Sequence, residues 1–399
     1  MRRINGAFIL QKLNMPTDTQ QPDKNVQPVP PKPAAPHKPV AVETEAPKAP
    51  VAVAPKPRTP ATAPAVDPAG AEVIRNLRTA HAAIRAELSK VIVGQQEVID
   101  QILISIFTRS HALLVGVPGL AKTLLISTLS NALQLGFKRI QFTPDLMPSD
   151  ITGTEVIYSD PATNERQFKF LKGPIFANIV LADEINRTPP KTQAAMLEAM
   201  QERSVSVGGT VHKLPDPFFV LATQNPVEQE GTYPLPEAQL DRFMFMIKVD
   251  YPSGDEEELI MKMASRGKGP VVNAVLTGTD IIALQELVRG VPVSDHVFNY
   301  TKKLVRVTRP KTPEALDLIN KWVTWGAGPR ASLNLITAAK AHAVLNGQYH
   351  VSCDDVSAVA LPILRHRLIP NFAAQSEGLD SDAIVKQVIA AIPKDKKLN

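Results

Sequence analysis

The chain has 399 residues, with 44 Lys and Arg against 39 Asp and Glu, one cysteine and 44% hydrophobic residues. That length suits two compact domains plus a remainder, and a single cysteine excludes a disulfide-stapled scaffold or a Cys-rich zinc site. No apolar run reaches the ~18 residues that span a bilayer, and Ala7–Leu10 is too short for a signal-peptide core, so a soluble, cytoplasmic protein of a reducing compartment is expected.

Residues 1–70 hold 15 of the 36 prolines, and Phe8 is their only aromatic. Such a segment buries too little apolar surface to offset its ordering entropy. It reads as a disordered, polyproline-like arm rich in Pro, Ala and Lys. The arm carries nine Lys and Arg against five Asp and Glu, which leaves only +1 of the +5 net charge for the rest of the chain. A near-neutral body offers no electrostatic footprint for a phosphate backbone, so a nucleic-acid partner is not expected.

From Ala71 the texture changes. Glu72–Lys90 and Gln95–Ser110 have apolar residues at helical spacing. Short apolar runs at His111–Val115, Ile179–Ala182, Phe218–Thr223 and Phe243–Val249 read as buried strands separated by helices. This alternation predicts an α/β domain with a mainly parallel sheet over residues 71–252. Beyond Pro252 the strands stop. Ile281–Val288, His296–Val307, Leu333–Leu345 and Val356–Leu364 read as helices, which gives a helical domain over 253–399.

The first strand runs into Gly116-Val117-Pro118-Gly119-Leu120-Ala121-Lys122-Thr123 and then a helix, the context that a phosphate loop requires. Gly116 and Gly119 let backbone amides turn toward a polyphosphate, and the helix N-terminus adds free amides and a positive dipole end. Lys122 would reach the β- and γ-phosphates, and the Thr123 hydroxyl would bind Mg²⁺. The strict pattern has Gly where Ala121 stands, and alanine is compatible with it if that residue has helical dihedrals.

Ile179–Glu184 is an apolar strand ending in two acids. There Asp183 can hold the Mg²⁺ shell and Glu184 can polarise a water for attack on the γ-phosphate. Asn225, just past the Phe218–Thr223 strand, can orient that water. Arg242, ahead of the last strand, has the planar, permanent charge to stabilise the γ-phosphate of a neighbouring subunit. Arg330, opening a later helix, would reach back to the nucleotide and link the helical domain to its phosphate state. Arg365-His366-Arg367 reads as a cation cluster at a helix end. Cys353 reads as a small filler at a helix start, and no histidine spacing suggests a metal site.

In that order these segments resemble the AAA+ ATPases, and within them the MoxR family. The phosphate loop with Ala121, Asp183-Glu184-Ile185-Asn186-Arg187, Ala222-Thr223-Gln224-Asn225-Pro226, Leu240-Asp241-Arg242-Phe243 and Gly328-Pro329-Arg330-Ala331 are similar to that family's corresponding motifs. The resemblance covers about residues 72–371. It implies an αβα core with a parallel five-stranded sheet, a helical lid, and ATP with Mg²⁺ held between subunits of a hexameric ring. The catalytic residues would be Lys122, Glu184, Asn225, Arg242 and Arg330, and the metal residues Thr123 and Asp183. Nucleotide contacts would run from Gly116 through Leu124, with Val93 and Gly94 near the adenine, and Arg187 would reach an adjacent subunit.

Two inserted hairpins are also implied. One spans Ser149–Phe170, with turns at Gly153 and Asp160-Pro161, and the other spans Val205–Val211 around Gly208-Gly209. Related proteins resemble chaperones acting with von Willebrand A-domain partners on other proteins, sometimes by metal insertion. A magnesium-chelatase-like metal-insertion motor is the main alternative, ahead of a nucleic-acid motor and a non-hydrolysing scaffold.

Overall fold

The computed structural model describes residues 68–159, 166–227, 231–265, 267 and 269–394. The expected arm up to residue 67 and the Asp160-Pro161 turn lie outside them. Two helices lead in, α1 (Pro68–Ser89) and α2 (Gln96–Phe107), followed by β1 (Ala112–Val115) and α3 (Lys122–Ala132). Next come β2 (Phe137–Gln141), α4 (Pro148–Thr152) and a hairpin of β3 (Gly153–Ser159) and β4 (Arg166–Lys172). The chain continues through β5 (Ile179–Asp183), α5 (Pro190–Glu202), a second hairpin of β6 (Ser204–Val207) and β7 (Thr210–Lys213), and β8 (Phe219–Gln224). A short α6 (Glu237–Leu240) precedes β9 (Phe245–Lys248).

Strands β2, β5, β8, β1 and β9 form one sheet in that order, and every pairing is parallel. Alternate residues face opposite layers, as a pleat requires. Ala112 and Leu114 join an apolar cluster with α2 and α3, whereas Leu113 joins Val180, Val220 and Met196 of α5 on the other side. The five-stranded parallel sheet and αβα layering are as expected. Both hairpins are antiparallel, with Ile157 opposite Phe168 in the first and Val207 opposite Thr210 in the second, but the first begins at Gly153, which opens β3, since Ser149–Thr152 belong to α4.

Beyond β9 the chain is helical: α7 (Gly254–Ala264), α8 (Gly278–Gly290), α9 (Asp295–Arg306), α10 (Asp317–Trp322), α11 (Pro329–Leu345), α12 (Cys353–Leu364), α13 (Phe372–Ser376) and α14 (Ser381–Ala391). Ser253 with Glu256, Thr277 with Asp280 and Ser352 with Asp355 form capping boxes that fix three of these starts. Cys353 is a buried first residue of α12. Between the helices, β10 (Val323–Trp325) pairs antiparallel with β11 (Ile369–Pro370). These segments of three and two residues are too short to carry a periodic signal. Helices α8, α9, α11 and α12 share the apolar cluster that covers one face of the sheet.

His111, just ahead of β1, is buried among these layers. Its Nδ1 accepts the Val220 amide proton and its Nε2 donates to the Met200 carbonyl, each at 3.0 Å, so the ring is held neutral. Burial, aided by the nearby Arg203 charge, pulls its pKa down to about 4. Between pH 6.5 and about 4 the unfolded chain then binds more protons than the native one, so stability falls as pH drops through this window, by about 3 kcal/mol from this group. Urea unfolding of His111→Gln should show a shallower pH slope over this window than the native chain.

Candidate active site

A parallel sheet brings the C-terminal ends of β1, β8 and β5 side by side, and the expected phosphate loop, Asn225 and the two acids follow from those three ends. Gly116 has no room for a side chain, since a Cβ there would lie 2.6 Å from the Val249 carbonyl oxygen. Gly119 has φ +87°, a conformation glycine adopts freely. Ala121 departs from expectation. It caps α3 with φ +53°, left-handed rather than helical. That conformation costs a non-glycine residue roughly 1–2 kcal/mol, so the alanine keeps the loop's glycine-like path at some strain. Lys122 donates its ammonium protons to the Gly116 carbonyl within the same loop. Burial lowers its pKa, and the charges of Asp183 and Glu184 oppose that shift.

Both acids are fixed through Thr223. Its buried hydroxyl donates to Asp183 Oδ1 at 2.6 Å and accepts the Glu184 amide proton at 2.8 Å. Glu184 itself is left-handed, with φ +57°. Each carboxylate has further partners in the chain. Arg139 Nε and Nη2 donate to Asp183 Oδ2 at 2.9 and 2.6 Å. Gln141 Nε2 and Arg187 Nη1 donate to Glu184 Oε2 at 2.7 and 2.9 Å. Arg187, expected to reach a neighbouring subunit, thus pairs with its own Glu184. Thr223, Arg139 and Gln141 were not among the expected site residues. The latter two lie on β2, whose Phe-Lys-Arg-Ile-Gln sequence gives no apolar run.

Asn225 is buried between the loop strand and the acid strand, and its Oδ1 accepts the Val227 amide proton at 3.1 Å, shaping the turn after β8. A cavity of about 300 Å³ opens beside the loop, lined by Val93, Gln95, Gly119, Ala121, Asp250 and Ile260 among others. Gly94 adjoins it with φ +66°, and a Cβ there would meet Glu256 Oε1 at 2.1 Å. Leu124 is half exposed on α3.

The two remaining arginines stand elsewhere. Ala112 pairs with Phe245, so Arg242 precedes β9 at the N-terminal edge of the sheet. The phosphate loop leaves β1 at the opposite edge, about 13 Å away over four residues of strand. Arg330 lines the same 270 Å³ cavity as Arg242, together with Arg109, His111 and Arg203. It pairs with Asp241 at 3.2 Å. The expectation that Arg330 reaches back to its own phosphate loop is therefore corrected. The start of α11 is held at the wrong edge for that.

The donor set fits a nucleotide with a hard cation. Mg²⁺ is commonly held by one or two carboxylates plus phosphate oxygens, and Asp183, whose oxygens accept from Thr223 and Arg139, and the Thr123 hydroxyl in the first turn of α3 are oxygen donors of that kind. Among the described residues no group of three or more His, Cys, Asp and Glu converges.

Residues 111–245 match the ATPase family associated with various cellular activities (AAA), and residues 317–388 match the AAA lid domain. The chain is 41% identical over 327 residues to the chaperone MoxR1 of Mycobacterium tuberculosis, covering 82% of this chain and 85% of that one. It is 30% identical over 339 residues to the protein MoxR of Paracoccus denitrificans, covering 80% and 98%. The crystal structure of a Cytophaga hutchinsonii protein proposed to be an ATPase superposes with a TM-score of 0.76 at 41% identity, over 82% of this chain and 98% of that one.

Thr223→Val keeps the side-chain shape but leaves the part-buried Glu184 amide without its acceptor and Asp183 without its donor. It should lower the free energy of unfolding by about 1–3 kcal/mol, while Thr223→Ser should stay within about 1 kcal/mol of the native chain. Denaturant midpoints of the three proteins check this.

Proposed function

We propose a function from one premise: the chain is an AAA+ ATPase and belongs with the MoxR-family chaperones. The reading is a Mg²⁺-dependent ATPase whose cycle drives chaperone-like remodelling, assembly or activation of other proteins. The observation that carries it is the convergence of Lys122 of the glycine turn with Asp183 and Glu184 on one sheet edge.

In this reading the triphosphate lies along the amides between Gly116 and Thr123, and Lys122 exchanges the Gly116 carbonyl for the β- and γ-oxygens. Asp183 and Thr123 would hold the metal, which would supply neutralisation of phosphate charge. Glu184 accepts a proton from the attacking water, and Asn225 orients that water from the adjacent strand end. Val93 and Gly94 border the base. Arg242 and Arg330, standing together at the far edge, serve the nucleotide of an adjacent protomer in a head-to-tail ring. A hexamer, a division into core and lid near Pro252, a von Willebrand A-domain partner and a cytoplasmic location complete the proposal. No helix among the described residues is long and apolar enough to cross a membrane.

The test uses two variants. Lys122→Ala should abolish binding of a fluorescent ATP analogue, because the only ammonium of the loop is lost. Glu184→Gln should retain binding and lower turnover by about 10²–10⁴-fold, the usual contribution of a general base. Full turnover in Glu184→Gln would remove that residue from the chemistry.

A further inference from the structure

The lid contains one fully committed guanidinium outside the site described above. Arg367 follows α12, and its side chain is about 2% exposed. It stands at the helix end expected from sequence, and it is also buried against the segment that carries Arg242. All five of its N–H groups have acceptors. Nε donates to Asp241 Oδ1 at 2.7 Å. Nη2 donates to the carbonyls of Asp241 and Phe243 at 3.0 and 2.8 Å. Nη1 donates to Met244 O at 3.2 Å and to Ile363 O at 2.5 Å. Three of these acceptors are backbone carbonyls that bracket Arg242 on both sides. The second oxygen of Asp241 receives Arg330 Nη1 at 3.2 Å. One buried guanidinium thereby fixes the backbone under one exposed-edge arginine and, through Asp241, the side chain of the other.

We propose that Arg367 is the positioning residue for the arginine pair this chain offers to a second copy of itself. The inference rests on the reading that Arg242 serves an adjacent protomer's nucleotide. A planar five-donor fork suits this task because it sets orientation as well as distance, which an ammonium does not. Arg367 touches no residue of its own phosphate loop, so the effect of its loss falls on the neighbour's turnover and not on its own binding.

The experiment compares assemblies of Arg367→Gln, Asp241→Asn and Arg242→Ala, each alone and mixed with Glu184→Gln protomers. Misplacement of a catalytic group by about 1 Å can cost ~10²-fold in rate, and a loss of that order in kcat is expected for Arg367→Gln alone. Affinity for a fluorescent ATP analogue should stay within about two-fold, since ground-state binding is untouched. Mixing should restore turnover, because an Arg367→Gln protomer keeps an intact phosphate loop and Glu184 and gains a well-placed arginine from its Glu184→Gln neighbour. Asp241→Asn keeps the side-chain shape, so it should fold and show a smaller loss of the same kind even if Arg367→Gln does not fold. Native kcat in both variants, or a loss of analogue binding in Asp241→Asn, would overturn the proposal. So would failure of mixing to rescue Arg367→Gln or Asp241→Asn while rescuing Arg242→Ala. If Arg242→Ala is itself not rescued, the shared-site reading fails and this proposal falls with it.

Discussion

Two adjacent carboxylates at the end of one buried strand are the constraint on which the site depends. Asp183 ends β5 and Glu184 is the next residue, and neighbouring like charges destabilise one another unless each finds its own partner. The fold supplies those partners from neighbouring strands. The Thr223 hydroxyl on β8 sets one oxygen of Asp183 and the Glu184 backbone, Arg139 on β2 neutralises Asp183, and Gln141 and Arg187 take Glu184. Lys122 meanwhile sits against its own loop carbonyl. Lys122, Asp183 and Glu184 are thus each paired within the chain, so in the proposed cycle nucleotide and metal would bind by exchange of partners.

The same parallel sheet is the reason the proposed chemistry calls on a second chain. Parallel strands put all their C-terminal ends on one edge, and the loop, acids and Asn225 collect there. Arg242 and Arg330 are tied to the other edge by Asp241 and by the start of β9. A head-to-tail arrangement of copies joins the two edges, which is the geometry that generates a closed ring.

Much of this was legible in the residues. Phosphate contact requires Gly116, Gly119 and Lys122 in a short turn, and a buried strand ending in two acids is conspicuous in a plain reading. The fifth strand was not legible from its own sequence. β2 lies at the sheet edge and exposes Lys138 and Arg139, so its apolar signal is weak, and with it went the two side chains that hold the acids. Helix α7 buries no residue and carries an acidic first turn, so only its capping box announces it. Ala121 shows that a motif's backbone path can persist where its residue changes. The contacts that Arg330 and Arg367 make with Asp241 were not legible for a common reason. Their roles depend on which sheet edge a distant helix reaches, and no local pattern encodes that.

The claim most open to measurement is that hydrolysis belongs to the assembly. Specific ATPase activity should be followed as the protein is diluted at saturating Mg²⁺ and ATP, with particle mass recorded in parallel. The account predicts that turnover per chain falls in step with dissociation into single chains. Undiminished turnover by a species of single-chain mass would contradict it.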